Sequence, residues 1–110
     1  TGDGVPPAVK NLARAVIGCC INHGDIDLSL AQALVQGYNM SRTLNLIERE
    51  YLYDMIIYAG TVSTLWRFLE FNVSRPEENK SLLYEELLYP TLNLFHFGKG
   101  KFNDTLFDIL

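Results

Sequence analysis

The chain has 110 residues, of which 48% are hydrophobic and 20% charged, a composition typical of one globular domain and not of a disordered segment. Nine Lys and Arg residues against 13 Asp and Glu residues give a formal net charge of −4, which argues against general nucleic-acid binding because that requires a basic surface. No apolar run reaches the roughly 18 residues of a membrane span, and two cysteines are too few for a disulfide scaffold. The sequence opens Thr1-Gly2-Asp3-Gly4, without a Met or an apolar leader. We therefore expect residues 1–110 to be a single helical domain and a fragment of a longer protein.

The first half of the chain predicts two helices of ordinary length. After a loop over residues 2–7, apolar residues at three- and four-residue spacing predict a helix over residues 8–22 that ends at Gly24. A second helix is predicted over residues 28–39, where the carboxylate of Asp27 can accept the free N–H groups of the first turn.

A third and much longer helix is predicted over residues 46–73, roughly 40 Å at 1.5 Å per residue. Asn45 and Glu48 have the spacing of a capping box, and Pro76 ends the helix because the residue before a proline disfavours helical backbone. Its apolar residues recur on one face, which Met55, Thr61, Trp66 and Phe68 widen, so we expect partner helices on more than one side of it. The face consists of Ile47, Tyr51, Tyr58, Val62, Leu65, Leu69 and Val73.

A fourth helix is predicted from near Ser81, with Pro90 breaking or kinking it and a second piece running to Phe97. Residues 98–101, Gly-Lys-Gly-Lys, predict a mobile turn, because Gly interrupts regular structure. The apolar tail predicts a short docked helix through Phe102, Leu106, Phe107, Ile109 and Leu110. No alternating strand pattern is present. The predicted fold class is all-α, a bundle of four to five helices with one long central helix.

Most candidate metal and catalytic motifs fail on their spacing. Asp25-Ile26-Asp27 matches the start of a calcium loop, but Leu30 and Gln36 replace the required Gly and Glu, so we interpret the acids as helix-capping and solvated residues. His23 and His96 have no second His or Cys at ligand spacing, and no zinc or other metal site is predicted.

Nucleophiles and phosphate-binding loops are equally unsupported. Cys19 and Cys20, adjacent on a helix, point about 100° apart and are interpreted as buried small hydrophobes. The Gly100-Lys101 pair is followed by Phe102, so it is no P-loop. No nucleophile with a base beside it is evident, and we predict no catalytic residue.

A polar and aromatic group interrupts the long apolar helix at Trp66, Arg67 and Glu70. One interpretation is an Arg67–Glu70 ion pair beside a core tryptophan. The other is a ligand-facing rim, because an aromatic ring and an arginine can hold an anionic or ammonium group. Arg14 and Asn22 on the first helix carry the same two interpretations.

Two segments of the first half resemble the C-terminal helical lobe of small-molecule kinases with the protein-kinase-like fold. Residues 11–15, Asn-Leu-Ala-Arg-Ala, resemble the Tyr-Asp-Leu-Ala helix of the aminoglycoside, choline and homoserine kinase superfamily. Residues 17–20, Ile-Gly-Cys-Cys, are similar to the next turn in type II homoserine kinases.

The resemblance continues to about residue 75. Residues 33–38 followed by Arg42-Thr43-Leu44 resemble a Leu-x-x-Gly-Tyr…Arg-Pro-Leu element, and Glu48 matches the Glu after it. Residues 65–67, Leu-Trp-Arg, are similar to an aromatic-Arg pair on the long helix of the family. The case depends on the order and spacing of these motifs.

The resemblance implies a parent that is a cytoplasmic, ATP- and Mg²⁺-dependent kinase acting on a hydroxyl of homoserine or of an amino alcohol. The chain departs from the family at Lys10-Asn11, where Tyr-Asp is usual, and it lacks the catalytic His-x-Asp loop, the metal-binding Asp and the ATP-binding Lys. The resemblance makes Arg14, Asn22, Trp66 and Arg67 candidates for the wall of the small-molecule substrate pocket. The chain alone would hold no cofactor.

A rival hypothesis is a free-standing helical interaction domain, and it rests on the excess of apolar residues on the long helix. Exposed apolar surface marks partner sites. We therefore keep a homodimer through apolar helix faces as an alternative, with neither nucleic acid nor membrane as a partner.

Overall fold

The computed structural model describes residues 6–107 as a bundle of α-helices with one small hairpin. The predicted helical class and the long central helix are confirmed. The helices are α1 (Pro7–Cys19), α2 (Leu28–Asn39), α3 (Leu46–Leu69), α4 (Glu85–Phe97) and α5 (Lys99–Phe107). Within that part of the chain, no helix is long and apolar enough to cross a membrane.

The first helix is shorter than predicted because a β-hairpin follows it. Strand β1 (Ile21–Asn22) pairs antiparallel with β2 (Asp25–Ile26), so the prediction of a helix to residue 22 and of no strand is wrong here. His23 and Gly24 both have positive φ, 54° and 80°, the backbone of a tight two-residue hairpin turn. The sequence pattern missed the hairpin because each strand has two residues.

Both predicted helix caps are confirmed. Asp27 Oδ1 accepts hydrogen bonds from the backbone N–H groups of Ser29 at 2.9 Å and Leu30 at 3.2 Å. At the start of α3 the Glu48 N–H donates to Asn45 Oδ1 at 2.8 Å, and the Asn45 N–H donates back to Glu48 Oε1 at 2.9 Å. These bonds satisfy donors that the first helical turn leaves without partners.

Helix α3 buries the side opposite to the one predicted. Its buried apolar contacts come from Leu52, Tyr53 and Ile56, together with Gly60, where α4 approaches closely. The residues of the predicted face are exposed instead, so that prediction is wrong: Ile47, Tyr51, Tyr58, Val62, Leu65, Leu69 and Val73. The spacing of the stripe is helical, but α1, α4 and α5 pack on the other side of the cylinder.

The end of α3 loosens before the chain reverses. The helix ends at Leu69, and a π-helical turn over Glu70–Ser74 continues it to the residues before Pro76. A 3₁₀ turn over Glu78–Lys80 then leads towards α4.

Helix α4 runs through its proline. It begins at Glu85, later than predicted, and continues to Phe97 with the buried Pro90 inside it, so the predicted break is absent. Pro90 has no N–H to donate to the carbonyl of Glu86, which removes one bond of the helical ladder without dividing the helix.

The residues predicted as a mobile turn begin the last helix. Gly98, with φ 96°, ends α4, and Lys99 then starts α5, which corrects the prediction for residues 98–101. Phe102 and Leu106 are buried, so the predicted docking of the tail is confirmed for these residues. Ile109 and Leu110, and the predicted loop before Pro6, lie outside the described residues.

Candidate functional site

A groove runs between α1 and α3. It contains two adjoining cavities of about 540 Å³ and about 490 Å³. Arg14, Ala59, Val62 and Ser63 line both cavities, so they are parts of one groove. Volumes of this size are those of small-molecule sites, roughly 300–1,000 Å³.

The groove brings together most of the residues that the sequence singled out. Arg14 lines both cavities, while Trp66 and Arg67 line the second. Asn22 does not join them, because it lies on β1 and its Nδ2 donates to Asp27 Oδ2 at 3.4 Å. The prediction that placed Asn22 beside Arg14 on one helix is therefore wrong, and Asn22 supports the start of α2 instead.

Arg67 is held by α4 and not by its neighbour on α3. Its Nη1 donates to the Leu83 carbonyl at 3.1 Å and to Glu86 Oε1 at 3.2 Å. The predicted partner, Glu70, instead lies 3.5 Å from Arg75 Nε. Both contacts hold the guanidinium from one nitrogen, which fixes its position at the mouth of the groove.

Trp66 is a surface residue, so the expectation of a core tryptophan is wrong. Its side chain is 59% exposed and meets Phe71 edge to face, with ring centroids 6.1 Å apart. An aromatic face that the core does not use is available to stack on a ligand.

Basic side chains line the groove although the chain as a whole is acidic. Lys10, Arg14 and Arg67 line it, and neither cavity has an Asp or Glu in its wall. Within residues 6–107 the exposed guanidinium of Arg14 forms no hydrogen bond or ion pair. With Trp66 and the wall of α3, the groove suits an anionic group attached to an apolar or planar one.

Sequence reasoning missed Lys10 as a groove residue. Lys10 and Arg14 are four residues apart on α1, the spacing that places two side chains on one helix face. That spacing was the signal that could have found it.

The residues quoted for the kinase resemblance between α2 and α3 form one polar cluster around the buried carboxylate of Glu48. Arg42 donates from Nη1 and Nη2 to Glu48 at 3.2 and 2.6 Å, and from Nε to the Tyr38 hydroxyl at 3.2 Å. The hydrogen bonds from Arg42 and from the Asn45 N–H lower the pKa of Glu48. The hydrogen bonds of Arg42 to Glu48 and to the Tyr38 hydroxyl raise the pKa of Arg42. These bonds connect the end of α2, the loop that contains Arg42 and the start of α3, so the residues of this motif stabilise the connection between the two helices.

The cysteines and acids give no sign of a metal centre. Across residues 6–107, no group of three His, Cys, Asp or Glu side chains could hold a metal ion. Cys20 is buried, which raises the pKa of its thiol, but Cys19 is exposed, so the expectation that both are buried fails for Cys19.

A separate apolar pocket of about 400 Å³ lies between α3 and α4. Leu65, Phe68 and Leu88 form much of its wall, and Thr91 lies at its edge. The Thr91 hydroxyl is buried and has no hydrogen-bond partner.

Comparisons with protein-family models, with curated proteins and with solved structures find no significant match to this chain.

Proposed function

We propose that this chain is the substrate-pocket helical part of an ATP-dependent small-molecule kinase, as the C-terminal lobe of a protein-kinase-like fold. The acceptor would be a hydroxyl of homoserine or of an amino alcohol. The observation that carries the proposal is the groove in which Arg14, Trp66 and Arg67 meet. These are residues that the resemblance names as pocket wall, and they come from two helices that the sequence separates by about fifty residues.

In this proposal the chain positions the acceptor and does no chemistry itself. Arg14 and Arg67 would bind an anionic part of the acceptor, and Trp66 would cover its apolar part. Phosphoryl transfer depends on such positioning together with electrostatic stabilisation by Mg²⁺ and cationic groups. The chain lacks the catalytic His-x-Asp loop, the metal-binding Asp and the ATP-binding Lys of the family that it resembles. The proposal therefore assigns ATP and Mg²⁺ to other parts of the parent.

The experiment is to purify the native polypeptide that carries this sequence, measure its intact mass and assay phosphate transfer from ATP to homoserine and to choline. We expect a mass well above 12.5 kDa, near the roughly 35–40 kDa of a two-lobe kinase, and transfer to one of these acceptors. Replacing Arg14→Met should raise the KM for the acceptor about tenfold or more and leave the KM for ATP unchanged, because a lost charged hydrogen bond is worth about 1.5–3 kcal/mol.

Arg75→Met is the matched control. Within residues 6–107 the Arg75 side chain is 82% exposed, pairs with Glu70 alone and lines none of the cavities described above, so its loss should leave both KM values unchanged. A native mass of 12.5 kDa, or an acceptor KM that ignores Arg14→Met, would overturn the proposal.

The second candidate, a free-standing helical interaction domain, is favoured by one observation. Helix α3 exposes a row of large apolar side chains that a self-contained domain would ordinarily bury. A native mass of 12.5 kDa together with a specific partner would support this candidate over the kinase.

A further inference from the structure

We propose that the outer face of α3 is an interface between two copies of this chain. We define the outer face as Tyr58, Val62, Leu65, Trp66, Leu69 and Val73. Tyr58, Val62 and Trp66 of this face also line the groove, so a second copy seated here would cover the groove, and the dimer competes with the use of Trp66 in the kinase proposal.

The outer face carries no charged residue along α3 from Tyr58 to Trp66 and continues through Leu69 to Val73 in the π-helical turn. Its members are spaced three, four or one residues apart, which places them within an arc of about 100° on a helix. No Asp, Glu, Lys or Arg occurs between Asp54 and Arg67. Arg67 and Glu70, which lie between the last members of the face in sequence, are paired with Glu86 and Arg75, so a second copy would meet no unpaired charge from this stretch of the chain.

The area of the outer face is near the lower end of what a dimer requires. Its residues are between 43% and 62% exposed, and at roughly 200 Å² per residue these fractions leave about 650 Å² accessible, or about 1,300 Å² for two copies. The largest apolar patch on a typical monomer is about 300–600 Å². One partner in a standard interface contributes about 800 Å².

The make-up of the face is that of an interface centre. Tyr58 and Trp66 are 61% and 59% exposed, and aromatic residues are enriched at the buried centres of protein interfaces. Asp54 precedes the uncharged stretch and is half exposed, in a position where a polar rim is expected. A two-fold dimer pairs the same patch with itself, so the uncharged face of one copy meets the uncharged face of the other. A membrane surface is a poorer occupant, because a chain of net charge −4 is not attracted to anionic lipid.

Trp66 makes the proposal directly measurable, because it is the one tryptophan of the chain. In sedimentation experiments on the 110-residue chain, the mass should rise with protein concentration from 12.5 kDa to twice that value. Over the same concentrations the fluorescence of Trp66 should shift to shorter wavelength as the partner excludes water from it. The two measurements should give one dissociation constant.

Leu65→Lys places a charge at the centre of the outer face and should keep the chain monomeric, with the helical circular dichroism of the parent. Met40→Lys is the matched control, because Met40 is 89% exposed at the end of α2 and should leave the dimer intact. Val62→Lys repeats the test at a second position should Leu65→Lys fail to fold.

Three results would overturn the proposal: a monomer at every concentration, a dimer that survives both lysines in α3, or a doubled mass with unchanged Trp66 fluorescence. Binding to vesicles of anionic lipid that competes with dimer formation would assign the face to a membrane and also overturn it. None of these results bears on phosphate transfer by the native polypeptide, so the kinase proposal is tested separately.

Discussion

Glu48 is a carboxylate almost removed from solvent, with 3% of its surface exposed, and its charge is compensated by hydrogen bonds from other groups. Arg42 provides two of these bonds and the Asn45 N–H a third. Because Arg42 itself is half exposed, the pair avoids most of the penalty of burying two charges. The carboxylate therefore links a cap, a loop and a helix through one side chain.

This arrangement predicts a dependence of stability on pH. The hydrogen bonds from Arg42 hold the pKa of Glu48 below its ordinary 4.5, so below that pH the unfolded chain takes up a proton that the folded chain does not. The stabilisation by Glu48 is complete above pH 4.5 and is lost as the pH falls through the lowered pKa. We expect Glu48→Gln to be less stable than the parent at neutral pH, with the difference in unfolding free energy narrowing in acid.

Urea unfolding at about pH 7 and about pH 3 measures that difference. Glu78→Gln, at an exposed carboxylate in the 3₁₀ turn, is the control and should change stability little at either pH. A Glu48→Gln deficit that stays constant across the two pH values would show that the ion pair does not stabilise the fold.

At the scale of helices, α3 and α4 pack closely where Gly60 meets Thr91. A Cβ added to Gly60 would lie 3.1–3.2 Å from Thr91 Cγ2 and Cβ and closer still to Thr91 Oγ1. Only a residue without a side chain permits this approach.

We expect Gly60→Ala to destabilise the chain by about 1–3 kcal/mol, the usual effect of overpacking, despite the better helix propensity of alanine. Thr91→Ala alone should be close to neutral, because the Thr91 hydroxyl has no hydrogen-bond partner to lose. The double variant Gly60→Ala, Thr91→Ala should recover most of the stability that Gly60→Ala loses. Thermal unfolding of the parent, the two single variants and the double variant measures this interaction energy as a double-mutant cycle. Additive effects would mean that α3 and α4 do not touch at this point.

Local signals were readable from the sequence, and signals that depend on distant neighbours were not. The caps at Asp27 and Asn45 were predicted because each is complete within three residues. The stripe on α3 was found by its spacing, but spacing cannot say which side of a helix the rest of the chain will cover. The hydrophobic period marks one face, while the position of Gly60 and the packing of α4 determine the buried one.

In the candidate site, too, the individual residues could be predicted from the sequence but their arrangement in space could not. Arg14, Trp66 and Arg67 were predicted as individual residues, yet their meeting in one groove follows from how α1 packs along α3. The Arg67 partner on α4 is 19 residues away in sequence and could not be inferred from helical spacing. Asn22 was misplaced because a turn with positive φ at His23 has no strong signature without an Asn or Asp at that position.

As a whole, the molecule is elongated. Its extents are 48 × 34 × 23 Å and its radius of gyration is 14.8 Å, against about 13 Å for a compact domain of this length.

The kinase proposal predicts that the chain alone has no nucleotide–metal site. Adding ATP with Mg²⁺ should leave its melting temperature unchanged, and so should ATP with a chelator in place of Mg²⁺. A ligand at one hundred times its dissociation constant would add about 2.7 kcal/mol of stability, which shifts the melting temperature of a small domain by several degrees. A rise that depends on Mg²⁺ would contradict the proposal, while an equal rise in both buffers would reflect anion binding at the groove.

Because α5 contributes to the hydrophobic core, that core can be completed during translation only after α5 has been synthesised. Phe102 packs its ring 5.4 Å from Tyr53, and Leu106 is buried with it in the shared core. Both belong to a helix that leaves the ribosome after α1 to α4 have been made. Until then the nascent chain holds an unfilled apolar cleft, and an unfinished core of this kind is what chaperones bind and what aggregates when they are absent.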